Sequence, residues 1–427
     1  MKVVKYAVII IVAALCNPLG GKSKYKSQPH HPQPLLDIST FIRKTLEDAN
    51  PNLHVGIEIY SLTNNTLLYA NNAHKLFVPA SNTKIITAAA TLHHLGTDYK
   101  FPTTLLTDKE LQGSIIAGSL YLKGSGDPSL TDTDLEKLVL SLKKQGIKEI
   151  RGTICIDATE FDESPFSPGS FIDDIGTKWS APIDALTLNQ FNTGVNQRNY
   201  WQHLPRHHAA QTLSGLLRKH GIAYKGKPLF KKTPHGAHQL AVHYSEPLKD
   251  LVTVMMKTSD NLYADCFFKK LGAVQQGAPS TWKKSRDVVK QFLQDHLNIL
   301  PDDLLVYDGA GSSRYNSMAP HHLAQVLIWA HKQPFAAEFL AALPTSGVDG
   351  SIQDRMKRIP GRVKAKTGNL YLSGASSLSG YVENHAKERF VFSIIINGII
   401  PAPASKNYKH CIEDAIASFI ANSQALS

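Results

Sequence analysis

Apolar residues along the chain alternate between helical and strand-like spacing. In residues 35–46, Leu36, Phe41, Ile42 and Leu46 fall near helical spacing and Pro51 closes the segment, which predicts a first helix. Residues 55–60 and 66–69 are strand-like runs on either side of Asn64-Asn65, residues that tolerate left-handed turns, so the pair predicts a hairpin. From Ser81 onward, Ile85, Ile86, Ala88, Ala89 and Ala90 leave no polar stripe; the pattern predicts a helix buried all round, with Gly96 as its C-cap. Residues 101–123 read as strands and Gly124-Ser125-Gly126-Asp127-Pro128 as a turn. A helix through Leu135, Leu138, Leu140 and Leu142 and a buried-type strand at 153–156 follow, then an irregular stretch at 161–169 that is rich in Pro, Ser and Gly. Helical spacing returns at 209–220, ended by Gly221, and again after Pro247, which opens a helix running toward Ser259. Three strand-like segments at 362–367, 375–382 and 389–397 predict an antiparallel meander, and Ile412, Ala415, Ile416, Phe419 and Ile420 mark a C-terminal amphipathic helix.

About 175 residues separate Lys84 from Ser259, more than a loop within one compact unit needs, so the segment predicts an inserted domain. The expected division is a main domain from residues 35–100 and 241–427, with the insert at 101–240. Residues 1–19 carry Lys2 and Lys5 before a short apolar run, too brief to span a bilayer, and predict an export signal; residues 20–34 are polar and read as a linker. An exported chain belongs in the periplasm or cell envelope. A lipid anchor at Cys16 is disfavoured because Leu15 stands where a small residue is wanted.

Composition adds little to this picture. The 427 residues carry a formal charge of +11, which suits an acidic wall polymer and admits peripheral association with a membrane face as readily as plain solubility. Cys155, Cys266 and Cys411 remain once Cys16 leaves with the signal, an odd set that predicts no disulfide framework. Histidine pairs at His30, His93, His207 and His321 lack metal-ligand spacing, so neither a metal nor another cofactor is expected; nor is nucleic acid expected as a partner.

The chemistry lies in three short motifs. Ser-x-x-Lys occurs four times, at Ser23, Ser81, Ser141 and Ser280, and alone means little, since a serine at a helix start is most often an N-cap. Ser81 differs in its company. Three residues make just under one helical turn, which puts the Lys84 amine on the same face as the Ser81 hydroxyl, and a lysine of lowered pKa can take the serine's proton. Downstream, in order, stand Ser259-Asp260-Asn261 and Lys366-Thr367-Gly368, completing the set found in class A β-lactamases and penicillin-binding proteins.

With Leu122-Lys123-Gly124-Ser125-Gly126-Asp127-Pro128, Asp308-Gly309-Ala310-Gly311-Ser312-Ser313-Arg314, Gly347-Val348-Asp349-Gly350-Ser351 and Leu378-Ser379-Gly380-Tyr381 added, the chain after the linker resembles the class C low-molecular-mass penicillin-binding proteins, which are D-alanyl-D-alanine carboxypeptidases and endopeptidases. The resemblance implies an α+β fold of the serine β-lactamase and DD-peptidase kind: a five-stranded antiparallel sheet flanked by helices, with an inserted mixed α/β domain. It implies Ser81 as nucleophile, Lys84 as base with its ammonium destabilised by Lys366, Ser259 as proton relay and Asn261 as the residue holding substrate amide and lysine. Lys366, Thr367, Gly368 and Asn369 would line the substrate site, Lys366 and Thr367 supplying a cation and a hydroxyl for the terminal carboxylate, and the backbone N–H groups of Ser81 and Asn369 would form an oxyanion hole. Implied partners are peptidoglycan stem peptides and, as acylating inhibitors, β-lactams. Asp127, Asp308, Gly350 and Arg355 read instead as turn and packing residues.

Two other readings use the same residues. A serine β-lactamase needs fast deacylation, which class A enzymes obtain from a glutamate acting through water; no Glu-x-x-Leu-Asn stands between Lys84 and Ser259, and Thr187-Leu188-Asn189 lacks the acid. A non-catalytic wall-binding protein of this fold has no need of intact Ser81, Lys84, Ser259, Asn261 and Lys366.

Overall fold

A computed structural model describes residues 37–49, 51–175, 177, 179–191, 204–370, 373–399 and 405–424. The expected signal and linker, Cys16 included, lie outside the described residues. The chain divides into two compact units.

Among the described residues, the first unit comprises those up to Asn82, Ser317–His331 and those from Leu343 onward. Its core is a five-stranded antiparallel sheet in the order Val363–Leu370, Ala375–Glu383, Arg389–Asn397, His54–Ser61, Thr66–Asn71. Hairpin and meander therefore form as the alternation predicts, and both join one sheet because Ile57 pairs with Ile394 and Ile59 with Phe392. Alternate residues on one face (Val55, Ile57, Ile59, Leu378, Phe390, Phe392, Ile394) form an apolar core with Ile38 and Ile42 of the Ile38–Glu47 helix and Ile412, Ile416 and Ile420 of the Ser405–Asn422 helix. The Pro320–Ala330 helix covers the other face, where the Tyr381 hydroxyl donates to the Leu327 carbonyl at 2.7 Å.

Arg355 ties the loop before the sheet's edge strand to the C-terminal helix. Its guanidinium donates to Glu413 at 2.7 Å and to Asp414 at 2.6 Å, while Ser376 donates to the other Glu413 oxygen at 2.7 Å. Glu413 is fully buried. Removing one member of such a group leaves a buried charge without compensation, so Arg355→Met is expected to cost about 3–5 kcal/mol in chemical denaturation. A loss below about 1 kcal/mol would show the cluster to be ornamental to stability.

The second unit, Thr83–Asn316 with Lys332–Ala342, starts with the Thr83–Leu95 helix, whose residues Thr83–Leu92 are all buried, as its lack of a polar stripe requires. Gly96, at φ +82°, ends it with an N–H bond to the Leu92 carbonyl. Around it stand the helices Leu248–Thr258, Asn261–Gln276 and Trp282–Leu297. The unit also holds a mixed five-stranded sheet, ordered Leu229–Phe230, Ile154–Asp157, Leu120–Lys123, Pro102–Thr107, His238–Tyr244, and a four-stranded one of two-residue strands. The helices Asp132–Lys144 and Pro205–Lys219 pack beside the larger sheet.

Candidate active site

In the first unit, Ser81 lies in a 3-10 turn, Ala80–Asn82, that runs directly into the Thr83–Leu95 helix. Two side chains fix the approach to this turn: Asn397 exchanges hydrogen bonds with the backbone of Val78, and Ser377 donates to the Pro79 carbonyl at 2.7 Å. Ala80 is held at φ +51°, a conformation that costs a non-glycine residue free energy and is retained only where its surroundings enforce it. Ser81 itself is half-buried.

The strand Val363–Leu370 presses on this turn. A Cβ at Gly368 would stand 2.8 Å from the Pro79 oxygen and 3.0 Å from the Ser81 nitrogen, so only glycine permits the approach. Strand alternation puts Lys366 on the same face as Gly368. Lys366 is fully buried and donates to the Thr367 carbonyl at 2.8 Å; the Thr367 hydroxyl donates to Ser351 at 2.7 Å. Ala365 donates outward, to the Pro344 carbonyl, and the alternation then turns the Asn369 N–H to the sheet's edge rather than into the ladder. Asn369 is exposed and its side chain is not needed for that.

In the second unit, Lys84 is fully buried and its amine donates to Asn261 Oδ1 at 2.6 Å and to the Ala310 carbonyl at 2.7 Å. Asn261 opens the Asn261–Gln276 helix and uses both ends of its amide, since Nδ2 donates to the Trp179 carbonyl at 2.7 Å. Ser259 caps the preceding helix in the left-handed region, φ +61°, and Asp260 caps the next by accepting from the Tyr263 N–H.

Burial pushes the Lys84 amine down to about 8, against the opposing pull of Asp265, Asp308 and Asp260. The sequence reading assigned this depression to the like charge of Lys366. The first cause is desolvation instead, because the helix carrying Lys84 is buried on every side.

Asp308 does hold a turn, accepting from the N–H groups of Gly311 and Ser313, from Asn316 Nδ2 and from the hydroxyls of Ser167 and Ser312. It also acts on Lys84, which its reading as a turn residue did not include. Asp265 was missed. It is buried one turn after Asn261 and accepts from the N–H groups of Gly309 and Ala310. A lone carboxylate within the apolar run Leu262–Leu271 was the available signal.

The structure thus assembles two sets: Ser81 with Lys366, Gly368 and the Asn369 strand edge, and Lys84 with Asn261 and the 308–316 loop. Ser81 and Lys84 belong to one continuous helical stretch, three residues apart. Among the described residues no group of three or more His, Cys, Asp or Glu side chains could hold a metal ion.

The family model for the D-Ala-D-Ala carboxypeptidase 3 (S13) family matches residues 39–202 and 202–422. The chain is 28% identical to the D-alanyl-D-alanine carboxypeptidase DacB of Haemophilus influenzae, over 85% of this chain and 88% of that protein. It is 28% identical to a D-alanyl-D-alanine carboxypeptidase of Actinomadura sp. (strain R39), over 90% and 84% of the respective chains. The crystal structure of penicillin binding protein 4 (dacB) from Haemophilus influenzae superposes with a TM-score of 0.80 at 25% identity, covering 91% of this chain and all of that one. A second crystal structure of that protein, complexed with a β-lactam, gives 0.73 with the same identity and coverage.

Proposed function

The chain belongs to the D-Ala-D-Ala carboxypeptidase 3 (S13) family, and from that premise we propose that Ser81 is the nucleophile of a serine D-Ala-D-Ala carboxypeptidase, with Lys84 as its base. The observation that carries the assignment is the Lys84 amine: fully buried, pushed down to about 8, and held by the asparagine of the Ser-Asp-Asn motif. Such an amine is a base near neutral pH.

Ser81 Oγ attacks the carbonyl of the penultimate D-alanine as its proton passes to Lys84. The oxyanion takes hydrogen bonds from the N–H groups of Ser81 and Asn369, donors whose loss costs roughly 100-fold or more in comparable sites. The C–N bond then breaks, the departing amine gaining a proton through Ser259, and D-alanine leaves. Water adds to the ester, and the shortened stem peptide departs with a new carboxylate while Ser81 regains its proton. Lys366 and Thr367 provide a cation and a hydroxyl for the substrate's terminal carboxylate. When the leaving amine belongs to a second stem peptide the same steps cut a cross-link, so endopeptidase action needs no further catalytic group. Peptidoglycan lies outside the cytoplasmic membrane, which fits an export signal at residues 1–19.

A β-lactam acylates the same serine, and its adduct provides the test. Penicillin should add covalently to Ser81, as read by mass spectrometry of the peptide, and the adduct should persist for many turnovers of a stem-peptide substrate. Ser81→Ala should show neither adduct nor release of D-alanine. Rapid hydrolysis of penicillin would make the protein a β-lactamase; no adduct would make it a non-catalytic wall-binding protein.

A further inference from the structure

The buried carboxylate that the sequence reading missed has a place in the reaction. Resting on the assignment of Lys84 as base, we propose that Asp265 is a positioning residue for that lysine: it fixes the loop whose Ala310 carbonyl holds the amine, and its carboxylate is the counter-charge the ammonium meets on taking the Ser81 proton.

Positioning rests on a chain of short contacts within one unit. Asp265 Oδ1 accepts from the N–H groups of Gly309 at 2.9 Å and Ala310 at 3.0 Å, and these two residues turn their carbonyls to the nucleophile helix: Gly309 to the Thr87 hydroxyl at 2.7 Å, Ala310 to the Lys84 amine at 2.7 Å. Asp308 stiffens the rest of the loop through its five donors. A shift of Asp265 therefore moves the Gly309–Ala310 peptide and reaches the Ala310 carbonyl through the Ala310 Cα.

The counter-charge follows from what Lys84 touches. Two of its acceptors, the Asn261 amide and the Ala310 carbonyl, are neutral. A fully buried ammonium is costly, and nearby carboxylates offset part of that cost. Asp265 and Asp308 act on Lys84, as does Asp260 at the helix cap. Burial first and the charge of Asp308 second push the Asp265 carboxyl well up, against the pull of Lys84 and of the Gly309 and Ala310 N–H groups, so protonation of Lys84 and ionisation of Asp265 favour each other. Lys269 lies further along the Asp265 helix with its own partner, Asp162. Asp265 bonds the Ala310 N–H, on the near side of the Ala310 Cα, and Asp308 bonds the Gly311 N–H of the peptide whose carbonyl holds the amine. The arrangement parallels a serine-protease aspartate, which orients the base and steadies it once protonated without taking the proton.

Two variants separate the two roles. Asp265→Asn keeps an Oδ1 acceptor for both N–H groups but removes the charge. Thr87→Val removes the hydroxyl that holds the Gly309 carbonyl and leaves all charges in place. In the full chain, the rate of Ser81 acylation by penicillin is followed against pH, with thermal melts to confirm folding. Loss of a neighbouring negative charge lowers the proton affinity of Lys84, so in Asp265→Asn the midpoint of the rise should move below the wild-type value by about half a pH unit or more, and the plateau should fall about tenfold. Thr87→Val should lower the plateau with the midpoint unmoved. An unchanged midpoint in folded Asp265→Asn overturns the counter-charge role, and an unchanged plateau in both variants overturns the positioning role. If Asp265→Asn does not fold, Asp265→Glu takes its place: it keeps the charge and changes the reach, so a lowered plateau with a fixed midpoint is required and any other result rejects the proposal. Absence of acylation in the wild type would instead sink the assignment of Ser81 and Lys84.

Discussion

Lys84→Met will slow acylation of Ser81 by about 1,000-fold or more and remove its dependence on pH between 7 and 9. Methionine has nearly the length of lysine and no charge, so it can occupy the buried position without opening a cavity. What it lacks is the lone pair. With an amine at about 8, roughly a tenth of wild-type molecules carry a neutral Lys84 at pH 7 and nine-tenths at pH 9, so wild-type acylation should climb about tenfold over that interval. The sign is fixed by direction: a depressed amine acts as base above its pKa and is silenced by protonation below it. Two effects oppose each other in stability, since the variant leaves Asn261 Oδ1 and the Ala310 carbonyl without their donor but buries no charge. The melting temperature should therefore change little while the rate collapses. Mass spectrometry of adduct formation at several pH values decides the matter; acylation of Lys84→Met within about tenfold of wild type, or a surviving rise with pH, would assign the base to another residue.

The strand segments of the sheet and the helix after Lys84 were legible because each rests on a local rule. Ile394, Ile395 and Ile396 could only form a strand buried on both faces, and the alanine-rich run after Lys84 could only form a helix without a solvent side. Gly368 was legible as part of a motif, but its reason was not: the approach to Pro79 and Ser81 joins positions nearly 290 residues apart. Asp265 escaped for a similar cause. Its partners, the Gly309 and Ala310 N–H groups, are backbone atoms that any residue could supply, so nothing in sequence marks them. The depression of Lys84 was foreseen with the wrong cause because like charges can be read from a motif, whereas burial is settled only when the surrounding helices pack.

Gly368→Ala will cost activity about 100-fold with a much smaller loss of stability, because a single methyl there acts on the nucleophile turn rather than on the sheet. The backbone at Gly368 is ordinary strand, so alanine adopts it without conformational strain. The conflict is one of space: the new carbon would sit 2.2 Å from Ser377 Oγ, 2.8 Å from the Pro79 carbonyl oxygen and 3.0 Å from the Ser81 nitrogen. Ser377 can rotate away, but doing so gives up its bond to the Pro79 carbonyl, which helps fix the turn. The other two atoms are backbone, and moving them moves the Ser81 N–H proposed to serve the oxyanion, where displacement by about 1 Å is worth on the order of 100-fold. Gly380→Ala on the neighbouring strand is the control. Its Cβ would meet the Lys364 carbonyl at 2.2 Å and the Ala365 Cα at 2.6 Å, atoms of the sheet and not of the turn. It should lower the melting temperature yet leave the acylation rate of the folded protein near wild type. If both variants lose rate in proportion to stability, Gly368 is a packing residue and the close approach of the strand to Ser81 has no catalytic purpose.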